Sequence, residues 1–308
     1  MATSPGPAVV ARVRKVLQQE FRALRKALED YSTAPQPGSL FQIESAAWKT
    51  TPHPMRAHQR RLHQEALLQA RLIVVNVLDH LRGADLLLQG GEWIPISSHM
   101  SLSRVTCEAA TRVAYLLDPD VGYEVRTVRA AVMRMASEEA NLTALRDIVR
   151  DQPELSVALA HAERTRDKVI DTITRAGITV HRDGKGRPSR LEVAHTGIKE
   201  STRVEAIALM AKYFPHRPAW YRMTSGITHS GAWMLDDTIV SAPTDPLLAV
   251  DPDFYGIGAS GLLAVDASAL VAQSYARYYG HDPAPFAQAS AMRTRAIDLV
   301  MNEFASSG

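Results

Sequence analysis

Apolar side chains recur at helical spacing through most of the chain. Val9, Val10, Val13, Val16, Leu17, Phe21, Leu24 and Leu28 fall mostly three and four apart, which lines one face of a helix over residues 7–31. Pro35, Pro37, Gly38, Pro52 and Pro54 interrupt the period, so residues 32–54 read as a long connection. A second helix is expected over residues 55–88. It opens in a basic, histidine-rich turn, in which His58 and His63 read as solvated, and turns apolar before Gly90 and Gly91 end it. A third starts at Ser97 or Ser101 and is closed by Asp118-Pro119, and a fourth covers residues 121–150. Pro153 opens a fifth and Gly177 stops it.

Between residues 178 and 193 the pattern changes to short β-favouring ends around a polar turn with Gly184 and Gly186, the signature of a small hairpin. A phosphate loop needs a longer glycine-to-lysine spacing, and Pro188 and Arg190 follow instead. Helices are expected again over residues 199–213 and 218–234, then, after a connection at 236–252, over 255–279 and 283–304. The pattern predicts an all-α chain, a multi-helix bundle of eight or nine helices with one small β-hairpin insertion. Residues 1–54 read as an N-terminal helix and connection, and residues 55–308 as the bundle.

Charge narrows the classes little. The 35 basic and 33 acidic residues nearly cancel, so no global field draws in a nucleic-acid backbone, and any such site has to be local. The single cysteine, Cys107, can form no internal disulfide, fits a cytoplasmic location and reads as core filler. The longest strongly apolar run, residues 72–78, is far shorter than the roughly 20 residues that cross a bilayer, so no membrane partner is expected.

Candidate chemistry concentrates at residues 220–231, Trp-Tyr-Arg-Met-Thr-Ser-Gly-Ile-Thr-His-Ser-Gly. Ser225 and His229 are four apart on an expected helix and Arg222 lies one turn back, so the three share a side. An imidazole near its titration can move a proton, a guanidinium can hold an anionic oxygen, and a hydroxyl can position either, a set suited to phosphate-ester chemistry. The plain alternative is a buried Ser and His that bond each other or the backbone. A second polar set comprises Asp79, His80, Arg104, Glu108, Arg112 and Tyr221. Arg104, Glu108 and Arg112 recur every four residues, which suits either an Arg-Glu-Arg ladder tied to Asp79 or the lining of a pocket shared with His229. Asp79, His80, Glu108 and His229 are ligand types, but the paired Glu-x-x-His signature of di-iron bundles is missing, so no metal or other cofactor is assigned.

With Asp79-His80 and the run to Leu88, Ser103-Arg104 through Glu108 to Pro119, and Tyr221 to His229, residues 65–280 resemble a family of uncharacterised helical proteins frequent in actinobacteria. The third block is similar to the end motif of HEPN (higher eukaryote and prokaryote nucleotide-binding) domains. Those are helical bundles that often dimerise and include metal-independent ribonucleases with an Arg, four to six residues and a His. Here Arg222 and His229 enclose six residues, while the commoner form sets its Arg five positions before the His, where this chain has Thr224. The resemblance implies a homodimer with His229 near the interface, and a protein directed at RNA or a nucleotide, in defence or toxin systems. A small-molecule enzyme or binding protein with a polar pocket and a non-enzymatic interaction protein are the alternatives.

Overall fold

A computed structural model describes residues 6–89, 97–217, 219–228 and 252–306. Ten α-helices and a three-stranded antiparallel sheet occur among them, against the eight or nine helices and the single hairpin expected from the sequence. The chain divides into two compact units, each built from separated segments. Met1–Ser39 belong to the first and Leu40–Arg71 to the second.

Unit 1 comprises Met1–Ser39, Leu72–Ala114 and Ala206–Gly308. It contains α1 (Gly6–Thr33), the C-terminal part of α3 (Arg56–Leu87), most of α4 (Ser98–Leu116), α7 (Ala206–Tyr213), α8 (Trp220–Thr228), α9 (Phe254–Tyr279) and α10 (Ala284–Ser306). α1 packs along α9 and α10, burying Val9, Val13 and Leu24 completely. Each such side chain contributes about 1.5–3 kcal/mol relative to exposure. The close approach depends on Gly261 in α9, where a Cβ would stand 2.9 Å from Val13 Cγ1 and 3.1 Å from Ile297 Cδ1. Asp253 caps α9 by accepting a hydrogen bond from the Gly256 amide at 2.8 Å, and Gly280 closes it in the left-handed conformation. By length and composition α9 could cross a membrane, but 72% of its most apolar window is buried within the protein, as in a core helix. Cys107 is buried, as expected, and donates weakly to the Leu263 carbonyl.

Unit 2 comprises Leu40–Arg71 and Tyr115–Glu205. It holds α2 (Leu40–Ala47), the N-terminal part of α3, α5 (Tyr123–Asp151), a 3-10 turn at Pro153–Leu155, α6 (Ser156–Arg175) and the sheet β1 (Ile178–Arg182), β2 (Pro188–Val193) and β3 (Lys199–Ser201). Its core is Leu62, Val128, Val132, Met135 and Ile173 packed on Ile178, Leu191 and Val193 of the strands. β1 and β2 pair antiparallel from Ile178↔Val193 to Arg182↔Pro188, with a bulge at His181/Arg182. The hairpin expected at 178–193 is therefore present.

Three expectations are corrected. The connection at 32–54 contains a helix, α2, between its two pairs of prolines. The helix expected from residue 199 begins only at Ala206, because residues 199–201 pair with β2 in the register Arg190↔Ser201, Leu191↔Glu200, Glu192↔Lys199. His63, read as solvated, is 3% exposed and sits on Glu44.

Candidate functional site

Within unit 1, α4 and α8 bring together part of the expected set. The Arg104 Nε donates to Glu108 Oε1 at 2.8 Å, one turn on, and its Nη2 donates to the Tyr221 hydroxyl at 3.3 Å. The same guanidinium lies 5.0 Å from the centre of the Tyr221 ring, a cation–π contact. Burial works to lower the Arg104 pKa, but the hydrogen bonds to Glu108 and Tyr221 and their charge outweigh it, so its pKa is raised and it stays charged. Arg104 Nη1 is buried and has no hydrogen-bond partner among the described residues. A second link joins the helices where Ser101 Oγ and Thr228 Oγ1 lie 3.3 Å apart.

α8 sorts its side chains by face. Thr224 is 2% exposed, and its hydroxyl donates back to the carbonyls of Trp220 at 2.9 Å and Tyr221 at 3.2 Å. Arg222 is exposed and Ser225, three residues on, is half-buried, so the two share a side that Thr224 does not. His229, the remaining member of the expected catalytic set, lies outside the described residues.

The rest of the expected pocket does not assemble. Asp79 is exposed, and the His80 Nδ1 meets the Asn76 carbonyl of its own helix at 2.9 Å. Arg112 is exposed on α4. Among the described residues neither Asp79, His80 nor Arg112 bonds to Arg104 or Glu108. The expected ladder is thus a single pair, because the four-residue steps along α4 carry Arg112 out to solvent while Arg104, holding Glu108, reaches Tyr221 of α8. No group of three or more His, Cys, Asp or Glu among the described residues is placed to hold a metal ion.

Unit 2 contains an ionic network that the sequence did not reveal. Arg126, fully buried, donates through Nε to Glu44 Oε2 at 2.7 Å and through its other nitrogens to the carbonyls of Leu116, Asp118 and Val121. Arg129 donates to the Tyr115 carbonyl at 2.8 Å, to Asp118 Oδ2 at 3.2 Å and to Glu200 Oε1 at 3.2 Å. Both arginines thereby donate to carbonyls at and just beyond the end of α4, and their positive charge suits that end of the helix. A faint signal existed: Arg126 and Arg129 stand three apart, in phase with Val132 and Met135 on the apolar side of α5. Beside them Tyr123 is half-buried against His63, its ring 5.1 Å away, and burial pushes its hydroxyl pKa up to about 12. The arrangement holds the chain together and presents no open reacting group.

No family model matches the chain, and no curated protein or solved structure is significantly similar to it.

Proposed function

We propose that the protein binds or acts on RNA or a nucleotide, as a HEPN-like homodimer, with Arg222 holding a phosphate and His229 as the acid or base. The supporting observation is the sorting of α8. Arg222 is exposed, where its guanidinium can meet a solvent-borne anion beside Ser225, whereas Thr224 is turned inward and occupied with its own helix. Arg104 acts behind this surface by clamping Tyr221, the residue next to Arg222, through a ring contact and a hydrogen bond. Phosphate-ester chemistry needs an anion holder and a proton carrier close together, and the spacing from Arg222 to His229 along one segment supplies both types.

The test is cleavage of mixed RNA by the wild-type protein, Arg222→Ala and His229→Ala in the presence of a chelator. The expected outcome is a loss of about 100-fold or more for His229→Ala, in the range that general acid–base groups contribute. Activity indistinguishable from wild type in both variants removes them from catalysis, and dependence on a stoichiometric transition metal ends the metal-independent reading. A monomer mass by light scattering across micromolar concentrations removes the homodimer.

A further inference from the structure

Unit 2 carries a second concentration of positive charge, at the N-terminal end of α3, that the α4–α8 site does not use. Two hollows flank this part of the helix. One, of about 500 Å³, is lined by His58, Arg61, Glu65, Arg134, Lys168 and Arg175. The other, of about 430 Å³, is lined by Trp48, His53, Arg56 and Arg60.

Neutralisation of these cations is incomplete. Arg134 is occupied by Glu65 at 3.2 Å and Glu138 at 2.8 Å, and Arg175 by Asp171 at 2.9 Å. That uses both acidic side chains of the first hollow. Arg61 and Lys168, both exposed, and His58, half-buried, have no side-chain hydrogen bond or ion pair among the described residues. In a chain whose formal net charge is only +2, this is a local excess. In the second hollow the Arg60 guanidinium lies over the Trp48 ring, 4.8 Å from its centre, and Arg60 is exposed. A guanidinium seated over an indole and exposed on its other side can take a further flat group.

From these observations we infer that this face binds single-stranded RNA, with the backbone along Arg61 and Lys168 and a base on the Arg60–Trp48 stack. Unpaired cations hold phosphates whatever the sequence, and aromatic or guanidinium planes take bases that are free of a duplex. A duplex keeps its bases stacked on each other and leaves the Arg60–Trp48 plane without a partner. The inference deepens the proposed function, on which the choice of RNA rests. It uses other residues in the other unit, so binding and cleavage can fail separately.

The experiment is fluorescence anisotropy of a labelled 20-nucleotide uridine oligomer titrated with the full-length protein across a salt series. Competitors are the same length of single-stranded DNA, duplex RNA and poly-glutamate. The double variant Arg61→Ala/Lys168→Ala is expected to weaken binding by about tenfold and to flatten the log–log salt slope by about 1.4, since each lost phosphate contact on a single strand removes about 0.7. Arg60→Ala is expected to weaken the single strand while leaving duplex binding unchanged. The control Lys15→Ala/Arg295→Ala, which removes two exposed charges from unit 1, is expected to bind as wild type. Equal losses in control and double variant, a duplex or poly-glutamate that competes as well as the oligomer, or no effect of any variant each overturn the inference. Oligomer binding that survives Arg61→Ala/Lys168→Ala while His229→Ala abolishes cleavage overturns this face and leaves the α8 reading standing. Tight oligomer binding lost in the double variant, with no cleavage by wild type, does the reverse.

Discussion

Two buried glutamates, one in each unit, answer the same problem in opposite ways. Glu20 on α1 and Glu44 on α2 are 0% and 2% exposed, and each faces an arginine. Burial pushes both carboxyl pKa values up. At Glu44, the hydrogen bond from His63 and the charge and hydrogen bond of Arg126 outweigh it and hold the pKa below its ordinary value. At Glu20, burial, reinforced by the negative charge of Asp266, wins over Arg293 and Ser290, and the pKa is raised. The geometry shows why. Arg126 is itself fully buried and its remaining nitrogens are anchored by three carbonyls, whereas Arg293 is 16% exposed at its side chain. Arg293 at 2.6 Å and Ser290 at 3.2 Å both bond to Glu20 Oε1, as Arg126 at 2.7 Å and His63 at 3.2 Å both meet Glu44 Oε2, so the number of bonded oxygens does not separate the two sites. The lesson is that a buried ion pair is secure when the cation is itself buried with its other donors satisfied, and poised to neutralise when the cation is partly exposed and the carboxylate's second donor is only a hydroxyl.

The comparison breaks most visibly if the cation is removed from the secure pair. Arg126→Met is expected to cost about 3–5 kcal/mol, the usual range for stranding one partner of a buried pair, and more of it than the charge alone because three carbonyls lose their donor. Urea unfolding followed by circular dichroism measures it. A loss under about 1 kcal/mol would show that Glu44 is held by His63 alone.

The matching change in unit 1, Arg293→Met, is expected to cost about 1–3 kcal/mol, nearer the price of an unmet buried hydrogen-bonding group, because Glu20 can take up a proton instead of remaining an isolated charge. If Arg293→Met costs as much as Arg126→Met, the difference between the two sites is not one of protonation.

How much of this was legible before the structure depends on which residues are meant. The long helices could be read because apolar spacing persists over twenty or more residues, as in α1, α9 and α10, and the hairpin because Gly184 and Gly186 interrupt β-favouring ends. α2 could not, since eight residues between proline pairs are too few to set a period, and Glu44 went unseen with it. Residues 199–201 read as helix because their pairing is decided by β2 and by Arg129 and Tyr115 reaching Glu200, none of which is local. Of the candidate site, spacing correctly paired Arg104 with Glu108, an i,i+4 relation. The contact of Arg104 with Tyr221 spans 117 residues and no spacing encodes it; equally, spacing could not show that among the described residues Asp79 and His80 make no bond to Arg104 or Glu108. Charge type was visible in the sequence, and charge burial was not.

The pH dependence gives the smallest effect and the sharpest test. For Glu44, whose folded pKa lies below the ordinary 4.5, the stabilisation is present above pH 4.5 and lost as pH falls through the folded value. For Glu20 the sign reverses: the folded state holds its proton more tightly than the unfolded chain, so the stabilisation is complete below pH 4.5 and lost as pH rises through the folded value. Glu20→Gln removes that loss. Measured by urea unfolding at a series of pH values from 4 to 7, the stability of Glu20→Gln minus that of wild type is therefore expected to rise with pH, whatever its absolute level. Glu44→Gln is expected to give the opposite trend below pH 4.5, where wild type loses its advantage over the variant. A flat Glu20 difference would mean that Arg293 and Ser290 compensate the burial of the carboxylate fully.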